Sequence, residues 1–240
     1  RIVRNPALKA DVKTSPAAQI NYLGMNQNLY APFKDKRVRE AFCISIDREA
    51  MTKGLFGGLA EPLYGQMTPG IAGYNPNVAK IPYDPARAKA LLAEAGFPEG
   101  KGLPPLQVAN LAPFKNEITF YADQWKRNLG VNVELNIMER ATFLRALNAG
   151  EVPFFTWGWT ADYADAFYYL SQVWHSKSRY NRARYVNAAY DKLIDEAQET
   201  ADDTQRFKLY ALAEKALMED WGSCGLFVRT SVALANSKSS

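Results

Sequence analysis

The stretch that most constrains this chain runs from Ile118 to Trp159, where the hydrophobic pattern passes from helix to strand twice in succession. Ile118, Tyr121, Ala122, Trp125 and Leu129 recur at helical spacing and stop at Gly130. "VNVELNIM" then alternates, with Val131, Val133, Leu135 and Ile137 on one more deeply buried face. "ATFLRALNAG" returns to a short helix and "VPFFTWGW" is a second apolar strand. Two successive helix-to-strand units generate a sheet with crossover helices, because a strand that re-enters a sheet in parallel needs a long connection. With 240 residues and 48% hydrophobic content, the chain has the means to bury one large core or two small ones.

The flanking sequence fits an α/β lobe. "QINYLGMNQ" reads as a short strand, and "RVREAFCISIDREAMTKGLF" as one helix striped by Val38, Ala41, Phe42 and Ile46 and stopped at Gly57-Gly58. Residues 59–83 form a long irregular connection rich in glycine and proline. "YDPARAKALLAEAGF" carries complete helix punctuation: Asp84 to cap the free amides, Pro85 at the first position, and Gly96 for a left-handed exit. "LQVANLA" is a strand. Tyr190, Leu193, Ile194 and Ala197 stripe one later helix; Leu209, Leu212, Ala213, Ala216 and Leu217 stripe another, and "GLFVRTSVALA" is a terminal strand. No repeat or low-complexity tract interrupts this order.

Composition and motifs exclude several chemistries. Lysine and arginine total 29 against 25 acidic residues, and the basic residues are scattered, so no nucleic-acid partner is indicated. No apolar run is long enough for a membrane span, and the opening "RIVRNPALKADVKTSP" lacks the apolar core of a signal peptide. The single histidine, His175, has no G-x-S-x-G elbow and no metal-ligand cluster to work with; it reads as a loop imidazole satisfied by backbone or solvent. Neither G-x-G-x-x-G nor a phosphate-binding G-x-x-x-x-G-K-[ST] occurs, so no cofactor is expected. Cys43 and Cys224 read as two buried free thiols; a disulfide between them depends on a geometry that sequence does not contain.

What remains is "WGWTADYADA", residues 157–166. Trp157 and Trp159 share one side of a strand by period two, and a carboxylate follows where the strand ends, which is where α/β sheets collect ligands. Indoles that exclude water would strengthen a contact between Asp162 and a ligand cation, a charge-assisted bond of roughly 1.5–3 kcal/mol net. On the residues alone a second reading stands beside this one, with both tryptophans in the core and Asp162 capping the next helix.

The ordered set "YLGMN", "KDKRVREAFCISIDREAM", "GYNPN", "YDPARAKALLAEAGFP", "QWKRNLGVNVELNIMERATFLRALNAGE", "WGWTADYADA" and "RYVNAAYDKLIDEA" resembles the family 5 extracellular solute-binding proteins, the oligopeptide- and dipeptide-binding receptors of ABC importers. The resemblance implies a type II periplasmic-binding-protein-like fold, a mixed β-sheet flanked by helices. Residues 1–240 would be the second lobe, with the N-terminal lobe and the C-terminal return absent; 15–83 would form a strand, helix and loop subregion, and 84–240 the α/β core that carries the ligand segment. It implies no enzyme activity and no cofactor. The implied partners are a peptide or small solute, the missing lobe and an ABC permease, with the full-length protein in the periplasm or extracytoplasmic at the membrane. By position Asp162 would hold a peptide's α-amino group and Trp159 would lie along the bound backbone. Thr160 and Ala161 would line the cleft, with Trp157, Tyr163, Asn110 and Lys115 around it. Where oligopeptide-binding relatives carry arginines for the ligand carboxylate, this chain has Leu147 and Thr156, and near the dipeptide position only Lys115. Family members also carry sugars, nickel complexes or haem, so the alternative readings are a receptor for such a non-peptide cargo or the ligand-sensing domain of a regulator built on the same lobe.

Overall fold

A computed structural model describes residues 12–234. Their order is β1 (Val12–Met25), α1 (Lys36–Ile44), α2 (Arg48–Phe56), β2 (Ala60–Pro62), α3 (Pro85–Glu94), β3 (Leu106–Leu111), α4 (Lys115–Leu129), β4 (Val133–Met138), α5 (Arg140–Ala149), β5 (Phe154–Thr160), α6 (Ala166–Tyr169), α7 (Ser171–Trp174), α8 (Ala188–Glu199), α9 (Asp203–Glu219) and β6 (Cys224–Leu234). The six strands form one sheet in the order β2-β6-β1-β5-β3-β4. β3 runs parallel to β4 and β5, whereas β1 pairs antiparallel with β5 and β6, so the sheet is mixed. The charged opening of the chain, residues 1–11, and its last residues, 235–240, lie outside the described part.

Strand alternation divides the apolar side chains between two cores. Leu23, Val108 and Phe154 face α1–α4, where Phe33, Phe42 and Trp125 pack around Phe154. Tyr22, Ala109 and Phe155 face the other way, onto α5–α9 and the fully buried Tyr169, Trp174, Tyr190 and Tyr210. The crossover helices expected from the alternating pattern are α4 and α5, which lie on opposite faces. The punctuation of α3 is as read: Asp84 accepts the Arg87 amide, Pro85 opens the helix and Gly96 sits at φ +94°. Across β1 and β5, Gly24 lies opposite Phe155, whose ring occupies the space a Cβ on Gly24 would need.

Several expectations are corrected. The single helix over 37–56 is two, broken at Ser45-Ile46-Asp47, because Asp47 caps a new helix by accepting the Ala50 amide. The first strand is longer than read and starts at Val12. The connection over 59–83 contains β2, which pairs with β6. β4 is an edge strand, so its apolar face thins along its length: Val133 is buried and Ile137 is 39% exposed. In α9 the buried stripe is Tyr210, Ala213, Glu214 and Leu217, which rotates Leu212 out to 52% exposure. Cys43 and Cys224 are not free thiols but a disulfide, with Cα atoms 5.9 Å apart, tying the end of α1 to the start of β6. Against its sulfurs lies the buried Arg48 guanidinium, whose Nη2 is 3.0 Å and 3.1 Å from the two Sγ atoms. Burial without a carboxylate beside it pulls the Arg48 pKa down to about 10. His175 is buried, and its Nε2 lies 3.1 Å from Asp195 and 3.8 Å from Asp191, so its partners are carboxylates and not only backbone or solvent.

Candidate functional site

β5 ends as a half-paired strand. β1 accompanies it through Gln19↔Thr160, whereas β3 meets it only at Ala109↔Phe155. The edge of β5 from Thr156 to Thr160 that faces away from β1 therefore has no strand partner among the described residues. Beside it lies a hollow of about 240 Å³ on the α4 side of the sheet. Alternation places Gln19 and Asn21 of β1 and Thr156 and Thr160 of β5 along its wall, with Asn110 of β3 bonded to Thr156 Oγ1 at 2.5 Å. Phe114 enters from just before α4, Glu117 and Tyr121 from its first half, and Arg140 from the start of α5.

The hollow is polar and carries both signs of charge. Glu117 is nearly buried and accepts a hydrogen bond from Arg229 Nη2 at 3.1 Å. The Tyr121 hydroxyl is buried without a partner; burial, with the Glu117 charge adding to it, pushes its pKa far above the usual phenol range and keeps it a donor. Arg140 is exposed and has no ion-pair partner among the described residues. Amides, hydroxyls and one guanidinium thus converge beside an unpaired strand edge, a set suited to binding an extended polar ligand.

Of the residues expected from sequence, Asn110, Trp157 and Thr160 line this hollow. Trp159, Ala161, Asp162, Tyr163 and Lys115 do not, although Lys115 follows Phe114, which does. The two tryptophans share one side of β5 as read, the side that faces α5 and the 176–187 loop. There Trp157 packs on Phe143 and Trp159 on Tyr180, with the Arg182 guanidinium 5.5 Å and 5.9 Å from the two indole centres. Asp162 follows the strand in a bend and is exposed; no side-chain hydrogen bond or ion pair engages it among the described residues. The capping role that stood as its alternative belongs to Asp165, which accepts the Phe167 amide and pairs with Arg206 at 3.0 Å. Tyr163 is 69% exposed, its ring 5.4 Å from Tyr168. Leu147 is buried in the second core, and Thr156 is held by Asn110.

Sequence reasoning missed Gln19, Asn21, Glu117 and Arg140. A signal existed for the first two: in "QINYLGM" the polar residues alternate with Ile20 and Tyr22, so one face of that strand is polar where the other is core. Glu117 and Arg140 open two helices far apart in sequence, and only the fold brings them together. Among the described residues no cluster of histidine, cysteine or carboxylate could hold a metal, and no helix is long and apolar enough to cross a membrane.

Residues 3–181 match the family described as bacterial extracellular solute-binding proteins, family 5 middle. The chain is 36% identical over 216 residues to the periplasmic oligopeptide-binding protein OppA of Salmonella typhimurium, with 88% of this chain and 39% of that protein covered. It is 30% identical over 225 residues to heme-binding protein A of Haemophilus influenzae, covering 88% and 41%. The solved structure of the periplasmic murein tripeptide binding protein MppA in its unliganded open form superposes with a TM-score of 0.88 at 28% identity, over 98% of this chain and 46% of that one. The chain thus spans about two fifths of the length of the curated relatives it matches. By sequence across about three quarters of its length and by fold across nearly all of it, this chain belongs to the family 5 bacterial extracellular solute-binding proteins.

Proposed function

We propose that the end of β5 is one half of a cleft for peptide-like, amine-bearing solutes, and that residues 1–240 are the second lobe of a two-lobe ABC-importer receptor. The observation that carries the reading is a strand with one edge unpaired above a polar hollow, running out into an exposed and unpartnered carboxylate, Asp162. An extended ligand adds its backbone hydrogen bonds to that edge. Its ammonium meets Asp162, Thr160 and Ala161 flank it, and the Trp157 and Trp159 rings stiffen the strand from behind. A ligand that spans the hollow meets Asn110, which lines it, and the proposed site extends to Lys115 and the exposed Tyr163. A second lobe closes over the guest by hinge motion and presents it to a membrane permease in the periplasm or at the outer face of the membrane; no bond is made or broken.

The test is Asp162→Asn in the full-length receptor, with affinities for peptides bearing a free amine compared with the same peptides acetylated. The free-amine ligands are expected to lose roughly 1.5–3 kcal/mol and the acetylated ones almost nothing. Equal affinities of variant and parent for free-amine peptides would remove Asp162 from the site.

A further inference from the structure

Along α9 lies a second hollow, of about 650 Å³, between that helix and the strap of residues 75–79. Its walls are apolar: Val78 and Ala79 from the strap, Ala211, Leu212 and Met218 from α9. Leu212, rotated outward on α9, is one of its lining residues. Glu214 lies on the same helix at 1% exposure and borders the hollow. Its Oε1 accepts the Gln66 amide at 2.7 Å, while Oε2 is buried with no hydrogen-bond partner. A buried carboxyl oxygen left unpaired keeps the desolvation cost of its lost water, and a donor brought to it recovers that cost. No arginine, lysine or histidine forms an ion pair with Glu214 among the described residues. Lys208 and Lys215 stand on the rim, Lys215 with its Nζ 3.7 Å from Glu219.

From this geometry we infer a second ligand site, separate from the cleft, in which an amphiphilic primary amine places its ammonium on Glu214 and its apolar body along Leu212, Val78 and Met218. The volume is that of a small-molecule site and the walls are apolar with one convergent polar group, the usual build of such pockets. An alcohol of the same length would satisfy Oε2 without its charge, and a carboxylate would be repelled from it. Binding should also follow the ionisation of Glu214, whose pKa burial lifts to about 7. The groups that face it are Tyr190 of α8, the Gln66 amide and the rim residues Lys208, Lys215 and Glu219; of these, Tyr190 is itself pushed well above its usual range by burial and stays neutral. Ammonium binding therefore strengthens as pH rises through about 7, provided the amine keeps its own proton.

The experiment titrates the protein with hexylammonium, hexanol and hexanoate at pH 8 by calorimetry, and repeats the ammonium at pH 5.5. Hexylammonium is expected to bind saturably, at least tenfold more tightly than hexanol, with hexanoate weaker still, and to lose at least tenfold at pH 5.5. Glu214→Gln keeps an acceptor for the Gln66 amide and should erase the advantage over hexanol. Ala211→Trp, which fills the hollow from the partly exposed side of α9, should abolish binding of all three. Asp162→Asn should change nothing, which separates this site from the cleft. Equal affinity for hexanol, an advantage that survives Glu214→Gln, binding that survives Ala211→Trp, or no saturable binding would each overturn the assignment; if Glu214→Gln does not fold, the pH and Ala211→Trp arms still decide it.

Discussion

Glu214 holds a carboxyl in the core with a single hydrogen bond, and its titration links pH to folding. Its pKa rises from 4.5 to about 7 because burial disfavours the charged form. The folded state thus binds the proton more tightly than the unfolded chain, so this contribution is complete below about pH 4.5 and lost as pH climbs through about 7. The difference corresponds to roughly 3 kcal/mol. Urea midpoints at pH 5 and pH 8 should differ in the parent, and Glu214→Gln should flatten the difference; a parent already flat across that window would contradict the account. At Gly24 the constraint is steric instead of electrostatic. A Cβ there would lie 2.1 Å from the Phe155 ring, so Gly24→Ala should cost about 1–3 kcal/mol by overpacking, read as a lower melting temperature. A trimmed partner tests the cause: Phe155→Leu should make Gly24→Ala less costly in a double-mutant cycle.

Among the elements, the disulfide and the caps fix what hydrophobic pattern leaves loose. Cys43 and Cys224 are 181 residues apart, so the bond closes about three quarters of the chain into one loop. Removing it in a Cys43→Ala, Cys224→Ala pair should lower unfolding free energy by about 2–5 kcal/mol, measured in denaturant under oxidising conditions. If both forms unfold at the same midpoint, the bond is not restraining the unfolded chain. The neighbouring Arg48 donates to the carbonyls of Gly225, Cys43 and Ile46, and its carbonyl cage explains how a buried guanidinium survives with no carboxylate. Asp84→Ala, by contrast, removes one cap from α3 at a solvated end and should cost about 1 kcal/mol. The caps were legible because they are local: Asp84, Pro85 and Gly96 act within one turn of their own helix. The break between α1 and α2 was not read, since Val38, Ala41, Phe42 and Ile46 keep a helical spacing across it and only the Asp47 cap marks the restart.

At the scale of the whole molecule, the proposed cleft would have only one of its sides on this sheet. The unpaired edge of β5 and the hollow beside it would supply about half of a ligand's contacts, so the isolated lobe is expected to bind peptides far more weakly than the full-length receptor does. Calorimetry of both with the same peptide mixture checks this, and micromolar binding by the lobe alone would refute it. The half-site was partly legible. "WGWTADYADA" points to the strand end that borders the hollow, and Asn110, Trp157 and Thr160 line it, whereas Glu117 and Arg140 are invisible in sequence because nothing local distinguishes them from helix-surface charges.

The alternation of helix and strand periods between Ile118 and Trp159, together with the caps, by itself determined an α/β sheet with crossover helices, because periodicity and capping are properties of neighbours along the chain. Tertiary structure alone decided the strand order, which sets β1 and β6 side by side inside the sheet although they stand at opposite ends of the described residues. It alone paired Cys43 with Cys224, turned Leu212 outward and Glu214 inward on α9, and ended the β3–β5 pairing at Phe155. Each of these depends on which surfaces meet across the fold, and a residue's burial is set by the element packed against it, not by its neighbours in sequence.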